Sequence, residues 1–112
     1  DVIKAAKKVQ IHNFINQLPN RYETQISELG LGLSGGQKQR ITLSRVFLKK
    51  YSVYIFDEVT NELDSETVSI IQNCICELGK KNIVIQISHL DSTLEKVNKV
   101  YKFDKNGKIF LE

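Results

Sequence analysis

Apolar residues along this chain first recur at helical spacing and later gather into short unbroken runs. Over residues 2–18, Val2, Ile3, Ala6, Val9, Ile11, Phe14, Ile15 and Leu18 are apolar, which predicts two short helices or one bent one ending near Pro19-Asn20. Residues 21–33 form a loop rich in small and charged residues. Ile41, Leu43, Val46, Phe47 and Leu48 then return at roughly helical spacing over residues 38–50, so a helix begins just after Ser34, Gly35 and Gly36. The run Val53-Tyr54-Ile55-Phe56 predicts a buried strand over residues 52–57. Ser65 reads as the N-cap of a helix that carries Val68, Ile71, Ile75 and Leu78 on one face and stops at Gly79. The β-branched run Ile83-Val84-Ile85-Gln86-Ile87 predicts a second buried strand. A short helix follows over residues 91–97. Strands over 100–103 and 108–111 are then joined by Asp104-Lys105-Asn106-Gly107, with the glycine placed for positive φ.

Strand, helix and strand in succession imply an α/β fold with a mostly parallel sheet flanked by helices. Asp57, Glu58 and His89 then fall at carboxyl edges of strands, where ligand sites of open α/β sheets gather. A helix start such as that at Ser34 offers free amides and a positive dipole end to an anion. A glycine turn of this kind, together with a strand that ends abruptly in two acids, points to nucleotide phosphate chemistry.

Composition narrows the setting. With 112 residues and 41% hydrophobic content the chain can build one modest core, and no second composition regime divides it. The net charge of +3 comes from dispersed pairs such as Lys7-Lys8, Lys49-Lys50 and Lys80-Lys81, without interleaved aromatics or a basic stripe. These read as solvated surface lysines, and no nucleic-acid partner is expected. No stretch approaches the roughly 18–20 apolar residues of a membrane span, and no signal peptide is visible, so the segment is expected to be soluble. Cys74 and Cys76 lie about 200° apart around a predicted helix, which suits neither a shared metal nor a disulfide. Both are expected to be reduced thiols in cytosol, at least one filling the core.

The motifs resemble those of the ATP-binding-cassette family. Leu33-Ser34-Gly35-Gly36-Gln37-Lys38-Gln39-Arg40 resembles its signature with the usual basic continuation, and Tyr54-Ile55-Phe56-Asp57-Glu58 resembles a Walker B strand. Asn61-Glu62-Leu63-Asp64 stands where the family has its D-loop, and Ile87-Ser88-His89 where it has the switch histidine. The order and spacing of all of these agree with the second half of a nucleotide-binding domain. Residues 1–50 correspond to the helical, signature-bearing subdomain and residues 51–112 to the part running from Walker B to the C-terminal sheet. Thr24-Gln25-Ile26-Ser27-Glu28-Leu29-Gly30 is similar to the stretch that precedes the signature in exporter cassettes. Ile11-His12-Asn13-Phe14-Ile15 and Leu18-Pro19-Asn20-Arg21-Tyr22 also follow the exporter pattern.

The resemblance implies a partial P-loop ATPase fold and roles for particular residues. Asp57 would hold Mg2+, through a water, and Glu58 would orient or deprotonate the water that attacks ATP. His89 would contact the γ phosphate. Ser34, Gly35, Gly36 and Gln37 would face ATP held by the opposite domain of a head-to-tail dimer, with glycine allowing close backbone approach. Asp64 would lie on that dimer interface and couple the two sites. Glu28 would contact the coupling helices of a transmembrane domain. The setting implied is an exporter ATPase at the cytoplasmic face of the cell membrane, and no residue here reads the cargo.

Departures and gaps qualify that picture. The G-x-x-x-x-G-K-[ST] phosphate loop is missing, and the Gly-Lys pairs at Gly79-Lys80 and Gly107-Lys108 lack its spacing. The chain also lacks methionine and begins with Asp1, so it reads as a piece of a longer polypeptide truncated upstream. Without the phosphate-loop strand the Walker B strand would have an unpaired edge, and poor folding alone is expected. Ser27 replaces a usual glycine, Val59 and Asn61-Glu62 replace small residues, and Leu90-Asp91 follows the histidine in place of Arg-Leu. Glu62 would either face solvent or weaken ATP-driven closure. Catalytic competence is expected in the full protein. The alternatives are a non-catalytic signature-half module that docks on an intact cassette and, disfavoured by residues 24–30, a soluble cassette ATPase.

Overall fold

A computed structural model of the chain describes residues 1–26 and 32–112, so the expected contact residue Glu28 and the replaced position Ser27 lie outside the described residues. The N-terminal apolar pattern resolves into two helices, α1 (Val2–Lys8) and α2 (His12–Gln17). The break falls at Gln10, whose φ of 54° lies in the left-handed region. It allows Val9 and Ile11, both 0% exposed, to enter the core from either side of the bend. The Arg40 guanidinium reaches across and donates Nη1–H to the Gln10 carbonyl at 3.1 Å. A single 3₁₀ turn at Arg21–Glu23 follows, where His12 Nδ1 meets the Tyr22 hydroxyl at 2.7 Å.

Helix α3 (Gly35–Val46) starts directly after Ser34 and packs on α1, and it stops earlier than the apolar pattern suggested. The amides of Phe47 and Leu48 turn to the Ser44 and Arg45 carbonyls, tightening the last turn into i→i+3 bonds. Strand β1 (Val53–Asp57) runs parallel to β2 (Ile83–Ile87) in the register Val53↔Ile83 to Asp57↔Ile87, with α4 (Ser65–Gly79) as the crossover. The core joins these layers: Ala6, Val9, Ile11, Leu43, Tyr54, Phe56, Ile71, Cys74 and Ile75 form one buried cluster.

The expectation of two strands buried on both faces is corrected. Tyr54 and Phe56 point inward at 8% and 5% exposure, while Val53, Ile55, Ile83, Ile85 and Ile87 lie between 47% and 66% exposed on the opposite face. Among the described residues, the helices that contact this sheet lie on its inner side, so the strands have only half the cover a parallel pair usually receives. The Cα radius of gyration, 15.6 Å, exceeds the roughly 13 Å of a compact chain this long. Among the described residues β1 pairs with β2 alone, leaving its other edge open.

Two further expectations change. The helix expected over residues 91–97 is only a 3₁₀ turn, Asp91–Thr93. There Thr93 binds the Leu90 carbonyl through both its amide (3.1 Å) and its hydroxyl (2.7 Å), and the next amides continue with i→i+3 bonds. The last two strands, β3 (Tyr101–Phe103) and β4 (Ile109–Leu111), form a separate antiparallel hairpin. Its turn matches expectation, since Gly107 has φ 76° and donates to the Asp104 carbonyl at 3.0 Å. Among the described residues no helix is long and apolar enough to cross a membrane.

Helix α4 is capped by Asp64 and not by Ser65. Asp64 is extended (ψ 155°), and its carboxylate accepts the Thr67 amide at 2.9 Å and the Thr67 hydroxyl at 2.7 Å. Ser65, one residue later, already has helical geometry. The same Thr67 supports the start of α3: a Cβ on Gly36 would lie 2.9 Å from Thr67 Oγ1 and 3.1 Å from its Cγ2. Thr67 is β-branched, 5% exposed and tied to Asp64, so it cannot yield readily. At Gly35 a Cβ would meet only Leu63 Cδ2, at an ordinary 3.7 Å.

Two outcomes follow from this junction. Gly36→Ala should destabilise the fold by about 1–3 kcal/mol through overpacking, read as a lower urea midpoint, whereas Gly35→Ala should not lower it. Equal effects at the two glycines would contradict the contact. The second concerns pH. The Thr67 amide, and then the Thr67 hydroxyl, hold the Asp64 carboxyl below its ordinary range. Its stabilisation is therefore present above about pH 4 and lost as pH falls through the lowered folded value. Asp64→Asn, which keeps a cap but not a titrating one, should flatten the stability profile below about pH 4 in thermal melts.

Candidate functional site

Two consecutive acids end β1, and the backbone sends them different ways. Asp57 is the last strand residue, paired with Ile87 on the exposed face that also carries Val53 and Ile55. Glu58 still donates its amide to the Ile87 carbonyl at 3.0 Å, but its φ of 49° is left-handed. That conformation costs a non-glycine residue roughly 1–2 kcal/mol. It takes the Glu58 side chain out of the strand's alternation, which would otherwise turn it toward the inward face with Tyr54 and Phe56.

The Glu58 carboxylate is held at both oxygens. His89 Nε2 lies 2.6 Å from Oε1, and Asn61 Nδ2 donates to Oε2 at 2.9 Å. The Asn61 amide also donates to the Glu58 carbonyl at 3.2 Å, closing the turn that follows the strand. His89 arrives from the carboxyl end of β2, and Ser88 Oγ accepts the Leu90 amide at 3.1 Å, bending the chain just beyond it. The histidine side chain is 80% exposed and that of Glu58 41%, so water screens their attraction. A competing anion can therefore draw His89 away at little cost.

The second station is the start of α3. Ser34 Oγ accepts the Gln37 amide at 3.1 Å, while Gln37 Oε1 accepts the Ser34 amide at 2.9 Å. This reciprocal capping box commits the Gln37 side chain to the backbone of Ser34. The first carbonyl accepted within the helix is that of Ser34, from the Lys38 amide at 3.0 Å. The Gly35 and Gly36 amides lie in the first turn, where no intrahelical acceptor exists. Both glycines have helical φ, so positive φ is not the reason for glycine at either position.

The structure thus gathers Glu58 and His89 into one cluster with Asp57 beside it. Among the described residues no hydrogen bond joins that cluster to Ser34 or Gln37, so the two stations are separate. Asp64 is committed to the α4 cap. A cavity of about 420 Å³ lined by Leu63, Val68, Gln72, Leu90 and Lys96 includes none of the expected site residues.

Asn61 was legible only as a departure, although an acid followed three residues later by Asn at a strand end is a turn signal. The pair Gln72 and Gln86 belongs to no motif of the sequence. Their side-chain amides exchange hydrogen bonds of 3.1 and 3.0 Å, and Gln72 also donates to the Thr93 carbonyl at 3.2 Å. This partly buried link ties α4 to β2 and to the segment after His89. Its visible signal was Gln86 as the one polar residue in a β-branched run.

No cluster of three or more potential metal ligands exists among the described residues. A self-contained cage is not what magnesium requires, because that ion keeps waters and takes one or two carboxylates together with phosphate oxygens. Asp57 suits that use: it is exposed, and no side chain among the described residues hydrogen-bonds its carboxylate.

Comparison with known proteins agrees with this arrangement. Residues 2–61 match the family model described as ABC transporter. ABC transporter B family member 15 of Arabidopsis thaliana is 43% identical over 109 residues, which is 97% of this chain and 9% of that protein. An uncharacterized ABC transporter ATP-binding protein of Bacillus subtilis (strain 168), YknU, is 41% identical over 105 residues, covering 94% of this chain and 18% of that protein. Among solved structures, a bacterial Atm1-family ABC exporter with ATP bound superposes with a TM-score of 0.80 at 35% identity, over 89% of this chain and 18% of the exporter. The chain therefore spans less than a fifth of the length of each of these relatives. With a family match over more than half its length and the α/β arrangement of an exporter cassette, it belongs to the ABC transporter family.

Proposed function

We propose that this chain is the C-terminal portion of the nucleotide-binding domain of an ABC exporter, and that in the whole protein it takes part in ATP hydrolysis. The observation that carries the reading is the Glu58 carboxylate, placed at the carboxyl end of β1 and held by His89 Nε2 at 2.6 Å. A carboxylate at a strand edge beside an exposed imidazole suits in-line attack of water on a γ phosphate. Glu58 orients the water and takes its proton as the new O–P bond forms and the bond between γ phosphorus and bridging oxygen breaks, releasing ADP. His89, exposed and weakly tied, turns from Glu58 to a phosphate oxygen when ATP is present, so that the free and loaded states differ at this side chain.

Asp57 would hold Mg2+, which supplies charge neutralisation at the phosphate oxygens. Ser34 and the amides of Gly35 and Gly36 face a second ATP, bound on the opposite cassette of a head-to-tail dimer, and Gln37 keeps that turn rigid through the capping box. Asp64, while capping α4, sits on the same dimer interface. Glu28 contacts the transmembrane domain, through which hydrolysis drives transport from the cytoplasmic face of the membrane.

Glu58→Gln in the intact protein should lower ATP turnover by about 10²- to 10⁴-fold, the range of a positioned general base, with ATP binding retained in a fluorescent-nucleotide titration. Unchanged turnover would refute the role given to Glu58. His89→Ala should also lower turnover, whereas Asp57→Asn should weaken the magnesium dependence of nucleotide binding.

A further inference from the structure

We propose that Asn61 is the positioning residue for Glu58, a permanent anchor for one carboxylate oxygen while His89 serves as the releasable anchor for the other. The inference rests on the role proposed for Glu58 above and adds a residue that would act through it. The geometry separates the two partners. Asn61 belongs to the same turn as Glu58: its backbone amide donates to the Glu58 carbonyl at 3.2 Å while its side-chain amide donates to Glu58 Oε2 at 2.9 Å. Thr60, between them in the turn, is 1% exposed, so the turn packs against the body of the fold although the Asn61 side chain is itself exposed. His89 comes instead from the other strand and bonds Oε1 with 80% of its side chain in water.

A glutamate has several rotatable bonds, and fixing a long polar side chain costs rotamer freedom. When His89 leaves for a phosphate oxygen, the bond to Oε1 is lost but the bond within the turn persists. The carboxylate then keeps its direction with Oε1 open to a water. The chemistry of the amide suits this use. It donates one hydrogen bond, carries no charge and has no proton to yield, so Glu58 stays an acceptor. Aspartate at position 61 would present a like charge to Glu58, and leucine would offer similar bulk with no donor.

In the intact protein Asn61→Leu should lower kcat for ATP hydrolysis by about tenfold, the loss of one partly screened hydrogen bond to a charged group. KM should be unchanged, because the bond serves orientation of the base and not nucleotide binding. Asn61→Asp should lower kcat further. Retained ATP affinity in both variants verifies that they fold. The deciding measurement is the double variant: if Asn61 acts through Glu58, adding Asn61→Leu to Glu58→Gln should change residual turnover no further. The same tenfold loss in both backgrounds, or a raised KM at constant kcat, would overturn the proposal. Near-normal turnover of Glu58→Gln alone would instead remove the role of Glu58, and the inference with it.

Discussion

Two aromatic rings on the inward face of β1 anchor the strand in the core. Tyr54 and Phe56, 6.4 Å apart between ring centroids and stacked within 6°, share one buried cluster with Leu43 of α3 and Ile71 and Ile75 of α4. Their burial fixes the rotation of the strand about its axis. Once that rotation is set, Val53, Ile55 and Asp57 must lie on the other face, and the strand must end where Glu58 leaves it. The parallel register with β2 then brings the chain to His89 beside Glu58. The catalytic pairing proposed here is thus a consequence of aromatic packing one turn of chain away from it.

Backbone conformation divides labour between the two acids. In a regular strand Asp57 and Glu58 would simply alternate. The left-handed Glu58, followed by a turn with a second left-handed residue at Glu62 (φ 58°), replaces that alternation with a tight loop whose side-chain amide faces back. Strain of this kind persists only where surrounding contacts over-determine it, and it concentrates at functional sites. The packing of buried Thr60 and the two bonds from Asn61 to Glu58 hold it here.

Much of this was legible in the order of residues. Helix and strand periods located α3, α4, β1 and β2 within a few residues, and Gly107 marked its turn. The differences have local causes. Val53-Tyr54-Ile55-Phe56 is apolar at every position, so its sequence cannot reveal which face lacks cover; that depends on what packs there. Asp64 and Ser65 are both good caps, and the choice falls to Asp64 because Thr67 stands three residues on with two donors for one carboxylate. The helix expected after Asp91 yields to a 3₁₀ turn because the Thr93 hydroxyl takes the carbonyl of Leu90. Ser34 and Gln37 have the spacing of a capping box, so the same residues serve the helix start that the family motif marks. The Asn61 contact depends on the left-handed geometry of Glu58, and no spacing rule anticipates that conformation.

The contact of Gly36 with Thr67 has an electrostatic consequence. It brings the first turns of α3 and α4 together, so two positive macrodipole ends share one small region, in which the Asp64 carboxylate caps α4. Arg40, on α3, adds its charge to the field at Asp64. An anion approaching Ser34 therefore meets the summed potential of two helices, of which one is already partly neutralised by its own cap. The side chain at position 64 thereby sets that potential: replacing its charge would leave the second dipole uncompensated, although the carboxylate of Asp64 is bonded to Thr67 of its own helix.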